Sequence, residues 1–184
     1  MKNLLKIKDW SIIWKIIGLS IVSLCITGIG INAYFFPSII KQVNEERKSL
    51  LVHNLDAMLS LCATFDKDVK DGRLTLSQAQ AMVKERISAI RYGDGDYYWI
   101  QDNQIPSTMI MHPTSPALNG TKLTSEKYNR ASKVQYGKIG TVEDIPGKNR
   151  NLFDMFVEIA KKSGDGFVWY DWTKPKKDGT VSTE

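Results

Sequence analysis

The sequence predicts an α+β protein: a membrane-length apolar helix, a long amphipathic helix running on from it, and an antiparallel sheet with flanking helices. Three observations carry this. Ile16 to Pro37, IIGLSIVSLCITGIGINAYFFP, holds no charged residue. Beyond it, apolar residues recur at Ile39, Val43, Leu50, Leu51, Leu55, Met58, Cys62, Phe65 and Val69, intervals that keep to one helical face. After Gly93 the period switches to two, in short runs rich in aromatic residues. Helices followed by strands, rather than strands alternating with helices, indicate an α+β class with an antiparallel sheet.

The first element, 16–37, is about as long as a bilayer-spanning helix, and only a helix satisfies its own backbone in hydrocarbon. Gly18, Gly28 and Gly30 do not form a GxxxG spacing, so no dimer is read from them. The run exceeds the apolar core of a cleaved signal, and NAYFFPS is a poor cleavage context, which favours an uncleaved anchor. Tyr34, Phe35 and Phe36 suit an aromatic interface belt. Lysines precede the run, placing residues 1–15 in the cytoplasm and everything beyond about 38 outside, the periplasmic side in a bacterium. The formal net charge of +5 is concentrated there. Lys2, Lys6, Lys8 and Lys15 stand against Asp9 in the first 37 residues, leaving 21 of the 25 basic and 19 of the 20 acidic residues beyond. No nucleic-acid partner is expected from that distribution.

The second element, 38–72, is a membrane-proximal stalk helix that meets no breaker until Asp71-Gly72; Pro37 is acceptable at its start. His53 falls on its polar side and reads as structural. TLSQAQAMVKERISAIRYG is a further helix, capped by Thr75 or Ser77, striped by Leu76, Ala79, Val83, Ile87 and Ile90, and stopped by Gly93 and Gly95. DYYWIQ and STMIMHP follow as an antiparallel hairpin across DNQIP. The stretch from Thr121 to Arg150 is polar and without a strong period, which reads as a long functional or mobile loop. NRNLFDMFVEIAKKSGDG is the next helix, stopped by Gly164 and Gly166. GFVWYDW is a strand, KPKKDG a solvated turn holding the Lys174–Lys177 cluster, and TVSTE begins another element.

Cys25 and Cys62 belong to different environments, so no intrachain disulfide is expected, and no metal spacing occurs. GDGD at 93–96 lacks the distal glutamate of a calcium loop. Without a nucleophile elbow, phosphate loop or metal cluster, no enzyme activity, catalytic residue, metal or cofactor is expected.

The order of motifs resembles the single Cache sensor domains, type 2 group, of bacterial chemoreceptors and sensor kinases. Arg91 precedes DGDYYWIQD; then come MIMHP, LNGTKL (118–123), DIPGKNRNLF (144–153) and GDGFVWYDWTKP (164–175). The resemblance implies a PAS-like ligand-binding domain over 73–184, an extracytoplasmic sensing role, a small organic ligand such as a C2–C4 carboxylate, cell-membrane placement, and a homodimer through the stalk helices. Two departures stand out. The segment around 124–143 is about a dozen residues longer than such loops require. The last strands, second membrane helix and signalling module of the group do not follow, so the output could be chemotaxis, a kinase or a cyclase.

A buried carboxylate needs a cation or several donors, and arginine's planar fork matches it. The resemblance puts Arg91, Tyr97, His112, Lys122 and Tyr170 forward as donors, with Trp99 and Trp172 as walls and Met111 as filler. It also turns the Tyr97/Trp99 and Tyr170/Trp172 faces toward the pocket. Strand alternation puts Ile110 and His112 on one face. Read without the resemblance, the aromatic residues are core, Arg91 is a partner for a helix C-terminus, and His112 is either a turn cap or a site residue. A tethered structural domain without a pocket is the rival reading.

Overall fold

The structure is a computed structural model and describes residues 10–146, 150–175 and 181–183. Two compact units make up the chain, Met1–Ser60 and Leu61–Glu184.

In the first unit, helix α1 (Ile12–Gly30) begins at Ile12 rather than Ile16 and buries none of its residues. Among the described residues one helix is long and apolar enough to cross a membrane. The expected helix start at Pro37 is absent. Instead a π-helical turn (Ile31–Phe35) joins α1 to α2 (Phe36–Lys70), with the Phe36 N–H reaching back to the Ile31 carbonyl. Proline lacks the N–H for a regular helical bond and its ring crowds the carbonyl four residues back; a widened turn just before it accommodates both.

In the second unit, α2 stops where the Asp71-Gly72 signal lies, with Gly72 at φ 72°. Arg73 secures the stop, bonding Asp68 through Nε at 2.9 Å and Asp71 at 2.8 Å. Helix α3 (Leu76–Ala89) is capped by Thr75 in a reciprocal box with Gln78. Ala79 and Ile87 of its stripe are buried, whereas Leu76 is exposed.

Gly93 and Gly95 do more than stop a helix. They turn the chain between β1 (Arg91–Tyr92) and β2 (Asp96–Tyr97), Gly93 at φ 50° and Gly95 at φ 109°, conformations open to glycine. The expected strand DYYWIQ is thus divided: its first two residues pair with β1. Its last two, β3 (Ile100–Gln101), pair with β4 (Met109–Met111) in the hairpin the sequence predicts. Asp102 ties the hairpin's far end, accepting from the Thr108 N–H at 2.8 Å and the Gln104 N–H at 3.2 Å. The Thr108 bonds above all hold its carboxyl down at about 2.

The largest correction lies between Thr121 and Arg150. That stretch is not an irregular loop, and the apparent insertion at 124–143 contains the middle of the domain. Strand β5 (Asn129–Tyr136) is the longest among the described residues and the hub of a four-stranded antiparallel sheet. β6 (Val142–Asp144) and β7 (Arg150–Asn151) pair with its C- and N-terminal halves along one edge; β8 (Gly166–Tyr170) pairs along the other. Helix α4 (Leu152–Ser163) starts on the Asn151 side chain, which accepts from the Phe153 and Asp154 N–H groups, and stops at Gly164, φ 82°. Met155 and Ile159, one turn apart on α4, pack onto Ala131, Val134 and Ile145 to form the sheet core. A second core gathers Met109, Leu123, Tyr128 and Phe153, with Trp99, Leu118 and Trp172 against it. β9 (Thr173–Pro175) pairs with β10 (Val181–Thr183). The KPKKDG turn, apart from its first residues, and the Gly147-Lys148 step of DIPGK fall outside the described residues.

Candidate ligand-binding site

Beside the second core, and sharing Trp99, Phe153 and Trp172 with it, lies a partly open cavity of about 230 Å3. Five expected site residues line it: Tyr97, Trp99, His112, Tyr170 and Trp172. Tyr97 and Trp99 line it together, as do Tyr170 and Trp172, although Trp99 lies between β2 and β3 and Trp172 beyond β8, outside the paired strands. The expectation for the other hairpin strand fails. His112 reaches the cavity while Ile110 lines a separate groove, because strand pairing ends at Met111 and the chain turns out of the sheet. Met111 is buried in the hairpin and does not line the cavity.

Trp99 is held in place by its neighbours. Its ring meets Phe153 edge-on at 6.3 Å and Phe156 at 5.4 Å, and its Nε1–H donates to Gln101 Oε1 at 3.2 Å. Gln101 in turn donates from Nε2 to the Phe153 carbonyl at 2.8 Å, so strand β3 and helix α4 fix one wall jointly. Tyr170 stands edge-on to Phe156 at 6.4 Å, and Trp172 stacks on Tyr128 at 6.4 Å.

His112 is buried, its ring 5.2 Å from that of Tyr97. The Ser115 N–H donates to Nδ1 at 3.1 Å, and its own N–H donates to Asn119 Oδ1 at 2.8 Å. A backbone N–H can only donate, so Nδ1 accepts and the neutral ring carries its proton on Nε2. Burial lowers the imidazole's pKa, keeping this neutral donor form. The bond to Ser115 is the turn-capping role that the sequence left open, and the same residue lines the cavity.

Arg91 and Lys122 are not brought to the cavity. Arg91 is exposed and donates from Nη1 to the Ser88 and Ile90 carbonyls at 2.7 and 2.8 Å, at the C-terminal end of α3. Orphan carbonyls and the helix dipole both favour a cation there. Lys122 is exposed and donates to the Pro106 carbonyl at 3.1 Å, closing the tip of the β3–β4 hairpin. Its pairing partner is Thr108, across an isolated bridge.

Four lining residues were not foreseen: Tyr92, Asp96, Leu152 and Phe153. Tyr92 and Asp96 enter as the facing pair of β1 and β2. The Asp-Gly dipeptide at 94–95, a common hairpin signal, was the available clue. Leu152 and Phe153 open α4, where an apolar pair after an Asn cap reads as core. Burial, and then the charge of Asp96, push the Tyr92 hydroxyl up to about 12; burial, then Tyr97 and Asp96, do the same for Tyr170. These phenols are therefore protonated donors at neutral pH. Among the described residues no group of His, Cys, Asp and Glu is placed to hold a metal ion.

This arrangement can enclose a small organic molecule between aromatic walls and offer it neutral O–H and N–H donors. A family model described as "Cache domain" matches residues 32–183. It is the model named dCache_2, so it bears on the Cache family at large and not on the type 2 single group. The "Methyl-accepting chemotaxis protein McpP" of Pseudomonas putida is 30% identical over 104 residues, which are 56% of this chain and 15% of that protein. The chain therefore spans a small part of that relative's length. A solved structure described as "Periplasmic sensor domain of chemotaxis protein" aligns at TM-score 0.57 with 27% identity, covering 75% of this chain and 80% of that one. A second, described as "Structural basis for carboxylic acid recognition by a Cache chemosensory domain", aligns at TM-score 0.58 with 24% identity, covering 78% and 82%. It shares the fold, and the α+β, PAS-like expectation stands. With the family model matched over most of its length, the chain belongs to the Cache domain family of extracytoplasmic sensor domains.

Proposed function

We propose that the chain is the sensing portion of a bacterial chemoreceptor, anchored in the cell membrane by α1, and that its cavity binds a C2–C4 carboxylate. The carrying observation is the donor set on the aromatic cavity: His112 offers an Nε2–H and Tyr92, Tyr97 and Tyr170 offer hydroxyls. A carboxylate removed from water needs several such bonds, each worth about 1.5–3 kcal/mol toward a charged partner. Cavities of about 150 Å3 hold a benzene-sized molecule and drug-sized ligands take about 300 Å3 or more, so about 230 Å3 suits a few heavy atoms. One fold neighbour is described by its carboxylic acid recognition, which makes such acids the first ligands to try.

Binding shifts a two-state equilibrium only through differential affinity. In this reading the liganded cavity favours one packing of α4 and the β3–β4 hairpin, and α2 carries the change toward the membrane. A homodimer through the α2 helices, whose Leu50, Leu51 and Leu55 are exposed, fits the same scheme. Titration calorimetry of the full chain in lipid nanodiscs with acetate, propionate and butyrate tests it. Saturable heat that is lost in His112→Ala is the expected result; a folded chain that binds none of the three overturns the carboxylate reading. The rival reading, a tethered domain with a sealed core, expects Tyr97 and Trp99 in a dry interior, whereas both keep partial exposure on the cavity wall.

A further inference from the structure

The motif LNGTKL (118–123) puts no residue on the cavity wall, yet it holds one that is there. Strand β4 is paired along both edges. On the edge away from β3, Met109 donates its N–H to the Thr121 carbonyl at 3.1 Å, and its own carbonyl accepts from the Gly120 N–H at 2.7 Å. Gly120, at φ 80°, then turns the chain away. Beyond that point the partner is a side chain: Asn119 Oδ1 accepts from the His112 N–H at 2.8 Å. Asn119 is itself placed by the short helical turn Pro116–Leu118. Its N–H donates to the Pro116 carbonyl at 3.0 Å, and Leu118 packs against the second core. Asn119 is exposed at the surface, so its amide is not there to fill that core.

His112 is thereby held at two points. Asn119 fixes its main chain, and the Ser115 N–H fixes Nδ1 at 3.1 Å. With Nδ1 engaged by a donor, the ring keeps its proton on Nε2. A freed main chain would let the ring leave Ser115 and sample its other staggered positions and its other tautomer. We propose that Asn119 is the positioning residue of the binding site: it holds His112 so that the imidazole stays capped at Nδ1 and offers its Nε2–H to the bound carboxylate. The proposal rests on the carboxylate reading and deepens it, because part of the affinity then originates in a surface loop. Apparent affinity falls with the fraction of molecules in the competent arrangement. Ordering His112 beforehand removes a cost that binding would otherwise carry.

Nitrogen NMR of the full chain in nanodiscs, isotope-labelled at histidine, reads the ring directly, and His112→Gln identifies its signals among those of the two histidines. The expected wild-type spectrum at neutral pH shows an uncharged ring protonated at Nε2 alone. In Asn119→Ala the two ring nitrogens should move toward each other as the tautomers mix. Affinity for the best of acetate, propionate and butyrate should fall about tenfold by calorimetry. Asn119→Asp keeps an acceptor oxygen at the same reach, so it should restore the wild-type spectrum and bring affinity back to within about threefold. Should Asn119→Ala not fold, Asn119→Leu, which also lacks the acceptor, takes the same readings. A wild-type ring protonated at Nδ1 overturns the proposal without any variant. A folded Asn119→Ala with unchanged ring signals or unchanged affinity overturns it and leaves the carboxylate reading intact. So does an Asn119→Asp that behaves as the alanine variant does. If the wild type binds none of the three acids, the carboxylate reading falls and this proposal with it.

Discussion

The β3–β4 hairpin has a hollow on each side, and the two could hardly differ more in chemistry. Trp99 and His112 line the aromatic cavity; Ile100 and Ile110, one and two residues from them, line a groove of about 330 Å3 shared with Cys62, Phe65 and Val69 of α2 and with Ala79 and Val83 of α3. The cavity wall is pinned by hydrogen bonds from Trp99, Gln101 and His112. The groove wall is mostly aliphatic, and two of its members, Leu76 and Ile110, are 62% and 42% exposed. Directional bonds fix where a polar atom points, whereas aliphatic contact tolerates sliding. The difference teaches that one hairpin can be specific on one side and compliant on the other.

Substitutions on the two sides should therefore separate. Trp99→Ala should have the largest effect, about 3 kcal/mol of stability from lost ring packing on Phe153 and Phe156, measured by denaturant unfolding. A loss no greater than that from Ile110→Ala would erase the contrast. His112→Ala comes next. It removes a donor and orphans the Ser115 N–H, so affinity for the best carboxylate should fall about 10–100-fold by calorimetry. Third, the lowered pKa of His112 makes stability pH-dependent. The unfolded imidazole takes up its proton near 6.5 and the folded one only at lower pH, so stability is full above about 6.5 and declines as pH falls through that value toward the folded pKa. Tm measured from pH 7.5 to 5.5 should drop, and His112→Gln should flatten the drop. The smallest effects belong to Ile110→Ala and Arg91→Ala. Each should change stability by about 1 kcal/mol or less and ligand affinity by less than about threefold. A tenfold affinity loss in Arg91→Ala would show that the guanidinium leaves the Ser88 and Ile90 carbonyls to meet the ligand.

What could be read from the sequence follows a physical line. The α3 cap, the α4 stop and the hairpin are local, set by a hydroxyl, a glycine and a period. Five residues that line the cavity were put forward by motif order, since periodicity alone could not choose a face. Strand β5 escaped because its inward positions are filled by Ala131, Val134 and Gln135 rather than a run of large aliphatics. Gln135 is buried at no cost in unmet bonds, donating to the Gly137 and Lys138 carbonyls at 3.1 and 3.0 Å. The pattern of NRASKVQY looks solvated until its three partner strands are known. Arg91 and Lys122 were misplaced for a related reason: charge type suggests what a residue can bind, and only the fold decides which carbonyl or ligand is within reach.

The hub position of β5 bears on how the protein is made. Two chain segments wall the cavity, Tyr92–His112 and Leu152–Trp172, and β5 lies between them in sequence. Its partner β8 leaves the ribosome after α4 does, so the wall that carries Tyr170 cannot pair with β5 until residue 170 has emerged. Pairings this distant along a chain form late and slowly. During synthesis and export, then, Tyr97, Trp99 and His112 must wait with their apolar faces uncovered. This interval, rather than the finished domain, is where a chaperone or an early ligand would have most influence on yield.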